Sequence, residues 1–307
     1  MSQKNNTRYR FALTIAGSDS GGGAGIQADL KAFAAVGAFG LSAITAITAQ
    51  NSRCVSAIYP SGAVSVSAQL EALIGDFPID AIKTGMLFDA DTIHAVTHLV
   101  AGLHAPIVVD PVMIATSGAT LLDQNAIRAY HPLISHAALL TPNLPEAQAL
   151  LNCGAINTRA EMLFAANQLL KLGCKAILLK GGHAPAGTNE SADCADLLLT
   201  QSVNGIKTRW FINPRLAIRG HGTGCTLAAL ITAFLARGLE LSSAVEKALA
   251  MLHNALKHAQ GIGVGTVHTP DPFFSAYRVK LPSADKLQND SLHACQLGTD
   301  AAMIQKS

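Results

Sequence analysis

Six short runs of Val, Ile, Leu and Ala recur along this chain, each followed by turn residues and then by a longer amphipathic segment, and this alternation constrains the fold more than any other feature. A run that is apolar on both faces suits a strand covered on both sides, and the intervening segments suit the crossover helices that parallel strands require. The runs are Phe11 to Ala16, Leu41 to Ala46, Ala81 to Lys83, Ile107 to Asp110, Ala138 to Thr141 and Ala176 to Lys180. They predict an α/β layer fold with one mostly parallel central sheet. Two later runs, Leu197 to Gln201 and Ile206 to Phe211, flank Asn204-Gly205, a dipeptide suited to positive φ, and predict an antiparallel edge hairpin with a type I′ turn. Asn143 with Glu146, and Thr158 with Glu161, have capping-box spacing and predict helix starts. From Leu281 onward periodicity gives way to Pro, Ser, Asp and Asn. The expected organisation is therefore a polar extension over 1–10, one domain over 11–280 and a tail over 281–307.

Several function classes are set aside at once. A formal charge of +2 from 22 basic and 20 acidic side chains leaves no surplus for a nucleic-acid backbone, and no block of like charges occurs. The six cysteines, Cys54, Cys153, Cys174, Cys194, Cys225 and Cys295, have no C-x-x-C spacing, which points to a reducing compartment and away from a zinc cage or disulfide framework. Met1 to Arg10 is polar and basic with no apolar stretch behind it, and no later segment reaches membrane-spanning length, so a cytoplasmic protein without membrane association is expected. His94 and His98 stand four apart, but the Glu of H-E-x-x-H and a third ligand are missing, so they are expected to be surface residues.

Ligands of open parallel sheets collect at the carboxyl ends of the strands, and the residues just after the apolar runs carry the chemistry here. Gly17 to Gly25 follows the first run and opens the next helix; its glycines allow close backbone approach and are expected to leave N–H groups free for a ligand. A dinucleotide fingerprint is opposed by Ile26 where the third glycine should fall, and a Walker A loop lacks its Gly-Lys-Ser/Thr ending. A second glycine run, Gly220 to Cys225, precedes the apolar helix Leu227 to Leu235. Gly222, Thr223, Gly224 and Cys225 there form an expected anion hole, which would favour a phosphoryl transition state whose charge spreads over its equatorial oxygens. Cys225 on the first helical turn is expected to have a lowered thiol pKa and to act as base or proton relay. Asp110 and Glu146 deliver carboxylates suited to Mg²⁺, and Lys180, before Gly181-Gly182-His183, places an ammonium for ATP phosphates. His221 beside the glycines is of more interest than His94 and His98, with two readings open: a part in the site, or a side chain that simply faces away.

Read in order, the first loop, Gln50-Asn51, Asp110-Pro111-Val112-Met113, Thr141-Pro142-Asn143-Leu144-Pro145-Glu146-Ala147, Lys180-Gly181-Gly182-His183 and His221-Gly222-Thr223-Gly224-Cys225-Thr226-Leu227 resemble the hydroxymethylpyrimidine/phosphomethylpyrimidine kinases of thiamine biosynthesis from Phe11 to Pro270. The resemblance implies a ribokinase-like three-layer α/β/α sandwich, a homodimer, and two successive ATP-dependent phosphorylations, of the hydroxymethylpyrimidine and then of its monophosphate. It implies a pyrimidine held by Gly17, Asp29, Gln50, Met86 and Val112, ATP held by Asn143, Lys180 and Thr223, and Mg²⁺ at Asp110 and Glu146. Gly21 stands where the family commonly has serine, which would loosen a lid-like first loop. Leu281 to Ser307 extends beyond the family's usual end. Pyridoxal kinase chemistry, a non-catalytic pyrimidine sensor and, less compatibly, a nicotinamide-dependent dehydrogenase are the competing readings.

Overall fold

The computed structural model describes residues 8–113, 124–182, 193–216, 220–261, 263–264 and 267–272. All lie within one compact unit, Met1–Pro272. The elements in chain order are β1 (Phe11–Asp19), α1 (Gly25–Val36), β2 (Phe39–Gln50), β3 (Val55–Pro60), α2 (Ala63–Asp76), β4 (Ile79–Thr84), α3 (Ala90–Val100), β5 (Ile107–Val109), α4 (Gln124–Ser135), β6 (Leu139–Leu140), α5 (Leu144–Leu151), α6 (Arg159–Leu170), β7 (Ala176–Leu179), β8 (Asp193–Ser202), β9 (Gly205–Pro214), α7 (Thr223–Ala236), α8 (Leu241–Lys257), β10 (Gln260–Gly261) and β11 (His268–Thr269). All six expected parallel strands are present.

The first nine strands form one sheet in the order β3-β2-β1-β4-β5-β6-β7-β8-β9, and β10 pairs with β11 separately. Strands β2 through β7 run parallel, while β3 at one edge and the β8–β9 hairpin at the other are antiparallel. Connections from β1 lead outward to β2 and those from β4 outward to β5, so the order reverses between β1 and β4, where a cleft at the carboxyl ends is expected.

Alternating side chains along each strand feed two cores. Leu13 and Ile15 of β1, Ile82 of β4 and Val109 of β5 pack with residues of α2, α3, α4, α5 and α6. Ala12, Ala81 and Val108 face the other way, against α1, α7 and α8. Because α7 packs on both α1 and α8 as well as on the sheet, it is buried nearly all round, which explains its uniformly apolar run. Both capping boxes form: Asn143 with Glu146 opens α5, and Thr158 with Glu161 opens α6.

Two local expectations are corrected. Strand β3, Val55–Pro60, was not foreseen; being a half-exposed edge strand ending in proline, it lacks the apolar run that marks the buried ones. The hairpin pairs Ser202 with Gly205 across Val203-Asn204, and positive φ (104°) falls on Gly205 alone, so the turn is not type I′, which needs it at both central residues. The expected tail 281–307, Cys295, His183, Ser117, Gly118 and Arg219 lie outside the described residues.

Candidate active site

A cavity of about 730 Å³ opens at the carboxyl ends of the strands. Its wall includes Gly17, Gln50, Met86, Asp110, Val112, Asn143, Glu146, Lys180, Gly222, Thr223, Gly224 and Cys225, so the fold brings together the sequence-predicted site residues from Gly17 to Cys225, with Asp29 as the exception. Asp29 lies behind the wall on α1, fully buried, where Oδ2 accepts from Thr14 Oγ1 at 2.6 Å and from Lys83 Nζ at 2.8 Å. The cavity is lined at this point by Lys83, a residue the sequence reading passed over. Against a burial that would lower it, the carboxylate of Asp29 pushes the Lys83 ammonium upward, with Cys225 and Asp110 adding to the effect, so a fixed cation underlies the site.

The first glycine loop is organised differently from expectation. Asp19 at the end of β1 turns its carboxylate into the loop: Oδ1 accepts from Gly21 N at 2.8 Å, and Oδ2 from Gly23 N at 3.0 Å and Ala24 N at 2.8 Å. These N–H groups are occupied by the chain's own anion and are not free for a ligand. Burial opposes the charge, but bonds from His221 and from Gly21 and Ala24 outweigh it and hold Asp19 below the usual carboxylate range. The absence of a serine at 21 does not undo the loop, since its anchors are backbone donors that any residue other than proline supplies. His221 does not face away: it is buried, lines the cavity, and sets Nε2 3.2 Å from Asp19 Oδ2 and 3.1 Å from Gln50 Nε2.

The second glycine loop meets the first backbone to backbone. Gly222, with φ 72°, caps α7, and a Cβ there would stand 1.9 Å from the Gly23 carbonyl oxygen, so only glycine is accommodated. Thr223, Gly224 and Cys225 are then the first three residues of α7, with N–H groups at the positive end of the helix dipole. A Cβ on Gly224 would lie 3.2 Å from Lys180 Nζ and 3.8 Å from Asp110 Oδ2, which shows how closely the helix start, the ammonium and the carboxylate converge. The expected lowering of the Cys225 pKa is corrected: burial pushes the thiol up to about 11, the charge of Lys83 opposing and those of Asp29 and Asp110 reinforcing it. Desolvation outweighs the pull of Lys83 and favours the thiol form at a side chain that is half-buried where it lines the cavity.

Asp110 Oδ1 accepts from Lys180 Nζ at 2.9 Å and from Thr141 Oγ1 at 3.0 Å. Glu146 Oε2 accepts from Asn143 N at 2.8 Å as part of the cap of α5. Burial pushes the Glu146 carboxyl up to about 7; Lys180 pulls it down and the charge of Asp110 pushes further up. At the far end of β7, Gly181 N donates to Asp196 Oδ1 at 2.9 Å, and burial pushes that carboxyl up to about 6. Asp196, Asp19, Lys83 and Thr48 are among the polar wall residues to which sequence reasoning gave no role. For Lys83 a signal existed: it is the one charged residue in the buried stretch Ala81–Thr84 of β4. His94 and His98 are exposed on α3.

The sequence model of a family described as phosphomethylpyrimidine kinase matches residues 19–270, which include Gln50, Asp110, Glu146, Lys180 and the second glycine loop. The chain belongs to the phosphomethylpyrimidine kinase family. This kinase is 43% identical over 264 residues to the hydroxymethylpyrimidine/phosphomethylpyrimidine kinase of Rhizobium meliloti, a match covering 85% of this chain and 95% of that protein. It is 44% identical over 256 residues to the bifunctional thiamine biosynthesis protein ThiED of Geobacter sulfurreducens, covering 82% of this chain but only 50% of that longer protein. Among solved structures it superposes on a Bacillus subtilis pyridoxal kinase ADP complex with TM-score 0.78 at 30% identity, over 87% of this chain and 98% of that one. On a Clostridium difficile phosphomethylpyrimidine kinase the TM-score is 0.69 at 36% identity, over 80% and 99% respectively. The sheet and layer arrangement is thus that of ribokinase-like kinases.

Proposed function

We propose that this kinase transfers the γ-phosphoryl group of ATP to the hydroxymethyl oxygen of 4-amino-5-hydroxymethyl-2-methylpyrimidine, and in a second step to the resulting monophosphate, supplying the diphosphate for thiamine biosynthesis. The observation that carries this reading is that one cavity gathers both sets of residues. Gly17, Gln50, Met86 and Val112 line the same cavity as Asp110, Lys180 and the α7 helix start with Cys225. A Cβ on Gly17 would meet Met86 Cε at 2.5 Å, so the glycine makes room for the methionine methyl, and Met86 would serve as one cover of an aromatic ring. Gln50 offers both an acceptor and a donor to a ring edge. The phosphate end combines the backbone N–H groups of Thr223, Gly224 and Cys225 with the Lys180 ammonium, donors already in place for charge that grows on the transferred group. Asn143 and Thr223 complete the ATP side.

The carboxylates fit Mg²⁺. Asp110 and Glu146 are both oxygen donors, and the charge of Asp110 pushes the Glu146 carboxyl upward, a repulsion that a divalent cation would relieve. Asp110 and Glu146 would hold the ion, which would neutralise phosphate charge. Cys225 acts as a hydrogen-bonding member of the anion hole and as a late proton relay, its thiol proton passing to an oxygen of the transferred phosphoryl group as the sulfur takes up the hydroxyl proton. A loose phosphoryl transfer needs the hydroxyl proton removed only late, so a preformed thiolate is not required.

Residues 11–280 constitute the catalytic domain in this reading, with 1–10 and 281–307 as extensions. It works in the cytoplasm, where ATP is available, as a homodimer. Ile47 and Tyr59, cross-strand partners of β2 and β3 that are 56% and 63% exposed, support pairing along that edge.

The test is mass-spectrometric product detection with Mg-ATP and, separately, the hydroxymethylpyrimidine, its monophosphate and pyridoxal. Formation of the pyrimidine diphosphate supports the two-step kinase. Pyridoxal phosphate alone would replace it by the pyridoxal reading, which the closeness of fold to pyridoxal kinases favours; binding without product from any acceptor would make the protein a sensor.

A further inference from the structure

The contacts around Gln50 contain two conflicts that one change resolves. As placed, Gln50 Nε2 faces His221 Nε2 at 3.1 Å, while His221 Nε2 also faces Asp19 Oδ2 at 3.2 Å. An anionic Asp19 requires a hydrogen on that ring nitrogen, whether the imidazole is neutral or charged, and two N–H donors would then point at each other. On the other side, Thr48 Oγ1 lies 2.9 Å from the Ser18 carbonyl oxygen and 3.3 Å from Gln50 Oε1, both acceptors, yet a hydroxyl has one hydrogen to give. Exchanging the oxygen and nitrogen of the Gln50 amide removes both conflicts. The Thr48 hydrogen goes to Ser18 and its oxygen accepts from Gln50, while His221 N–H is shared between Asp19 and the Gln50 oxygen. The two atoms are interchangeable by shape, so the hydrogen-bond network decides between them.

We propose that His221 is a positioning residue: held by Asp19 with its hydrogen on Nε2, it fixes the Gln50 amide with the oxygen toward His221 and the nitrogen toward Thr48. The backbone cannot swing to escape this choice, because Ser20 Oγ donates to Gln50 O at 2.7 Å and accepts from Gln50 N at 2.8 Å. One lone pair and one N–H of the amide remain for a ligand. They read an amino donor on the His221 side next to a ring-nitrogen acceptor on the Thr48 side, the edge of a 4-aminopyrimidine. A pyridine without an amino group beside its ring nitrogen leaves the amide oxygen unmatched. The wiring also ties ring recognition to the phosphate end, since His221 directly precedes the α7 cap, Gly222. The amide orientation stands independently; the choice of heterocycle rests on the kinase reading above.

The decisive experiment is NMR on the full chain labelled with ¹⁵N at histidine and glutamine. A hydrogen on His221 Nε2, together with NOEs from the Gln50 side-chain amide to Thr48, is expected. A His221 tautomer protonated on Nδ1 alone, or Gln50 amide hydrogens adjacent to the imidazole, overturns the proposal whatever the substrate proves to be. Kinetics supply the functional arm. His221→Phe should raise KM for the aminopyrimidine roughly tenfold, the worth of one misdirected hydrogen bond, with KM for ATP little changed. His221→Gln, which keeps an N–H donor, should recover most of that loss. A defect carried by kcat, or no recovery in His221→Gln, would refute the positioning role; failure of the wild type to phosphorylate the pyrimidine would sink the kinase reading and leave the NMR result standing.

Discussion

The buried pair between Lys83 and Asp29 offers the sharpest energetic test of how this site is built. Both side chains are wholly inaccessible, and their 2.8 Å contact joins β4 to α1 beneath the cavity. Lys83→Met removes the ammonium at similar length, and Asp29→Asn removes the charge at constant shape while keeping an acceptor for Thr14. Breaking one side of a buried pair strands the other charge and costs about 3–5 kcal/mol, a large part of a total stability on the order of 5–15 kcal/mol. For a domain of this size each single change should lower Tm by roughly 6–20 °C. The double variant strands no charge and should lose clearly less than the two singles together, with a coupling of about 1–3 kcal/mol. The assay is urea unfolding of the four proteins followed by circular dichroism. Lys83→Met adds a pH signature. Burial already outweighs Lys83 and Thr14 and holds the Asp29 carboxyl above the ordinary 3.8, and loss of the cation raises it further, so the folded variant keeps over a wider pH range a proton that the unfolded chain releases. Its deficit should therefore shrink toward pH 5 and widen toward pH 8. Additivity within about 0.5 kcal/mol, or a deficit that is flat with pH, would refute the account of an interdependent ion pair.

Three further outcomes are expected. Cys225→Ala should lower kcat by at least about 10²-fold with a small change in pyrimidine KM, as for a donor acting on the transition state, and unchanged turnover would remove it from the anion hole. Gly222→Ala, which forces a Cβ against the Gly23 carbonyl at positive φ, should destabilise the protein by about 1–3 kcal/mol and abolish most activity; wild-type thermal stability would contradict the close loop contact. Asp196, with its carboxyl raised to about 6, keeps a proton in the folded state that the unfolded chain loses, so this group's contribution to stability declines as pH rises through that range. Asp196→Asn should thus compare better with wild type at pH 8 than at pH 5 in urea midpoints, and an equal difference at both values would exclude the assignment.

The buried strands were legible because they are uninterrupted apolar runs, and the placement of Asp110 and Lys180 followed from their positions at the ends of those runs, whereas Gln50 came from the family resemblance. Capping residues were legible for a similar reason, since Asn143 with Glu146 and Thr158 with Glu161 act over three residues of local chain. What could not be read was set by tertiary contact. The Cys225 thiol follows burial, and burial is decided by α1 and β4, distant in sequence. Asp19 looked like one more polar loop residue until folding turned it inward. His221 was left open because its partners, Asp19 and Gln50, lie 202 and 171 residues away. Strand β3 escaped because an edge strand draws its stability from one neighbour and needs no apolar run of its own.

Asp19 gives the first loop a resident anion, and this bears on how the site meets its ligands. A glycine-rich loop left to itself would hold many conformations, and a substrate ordering it would lose affinity to that entropy. Here the chain orders the loop before any substrate arrives. A heterocycle bound as proposed would meet a first loop whose hydrogen-bond directions are already set. Substitutions at Gly21 should then be mild, while a change at Asp19 would give the pocket many shapes in place of one and loosen discrimination before it weakened catalysis.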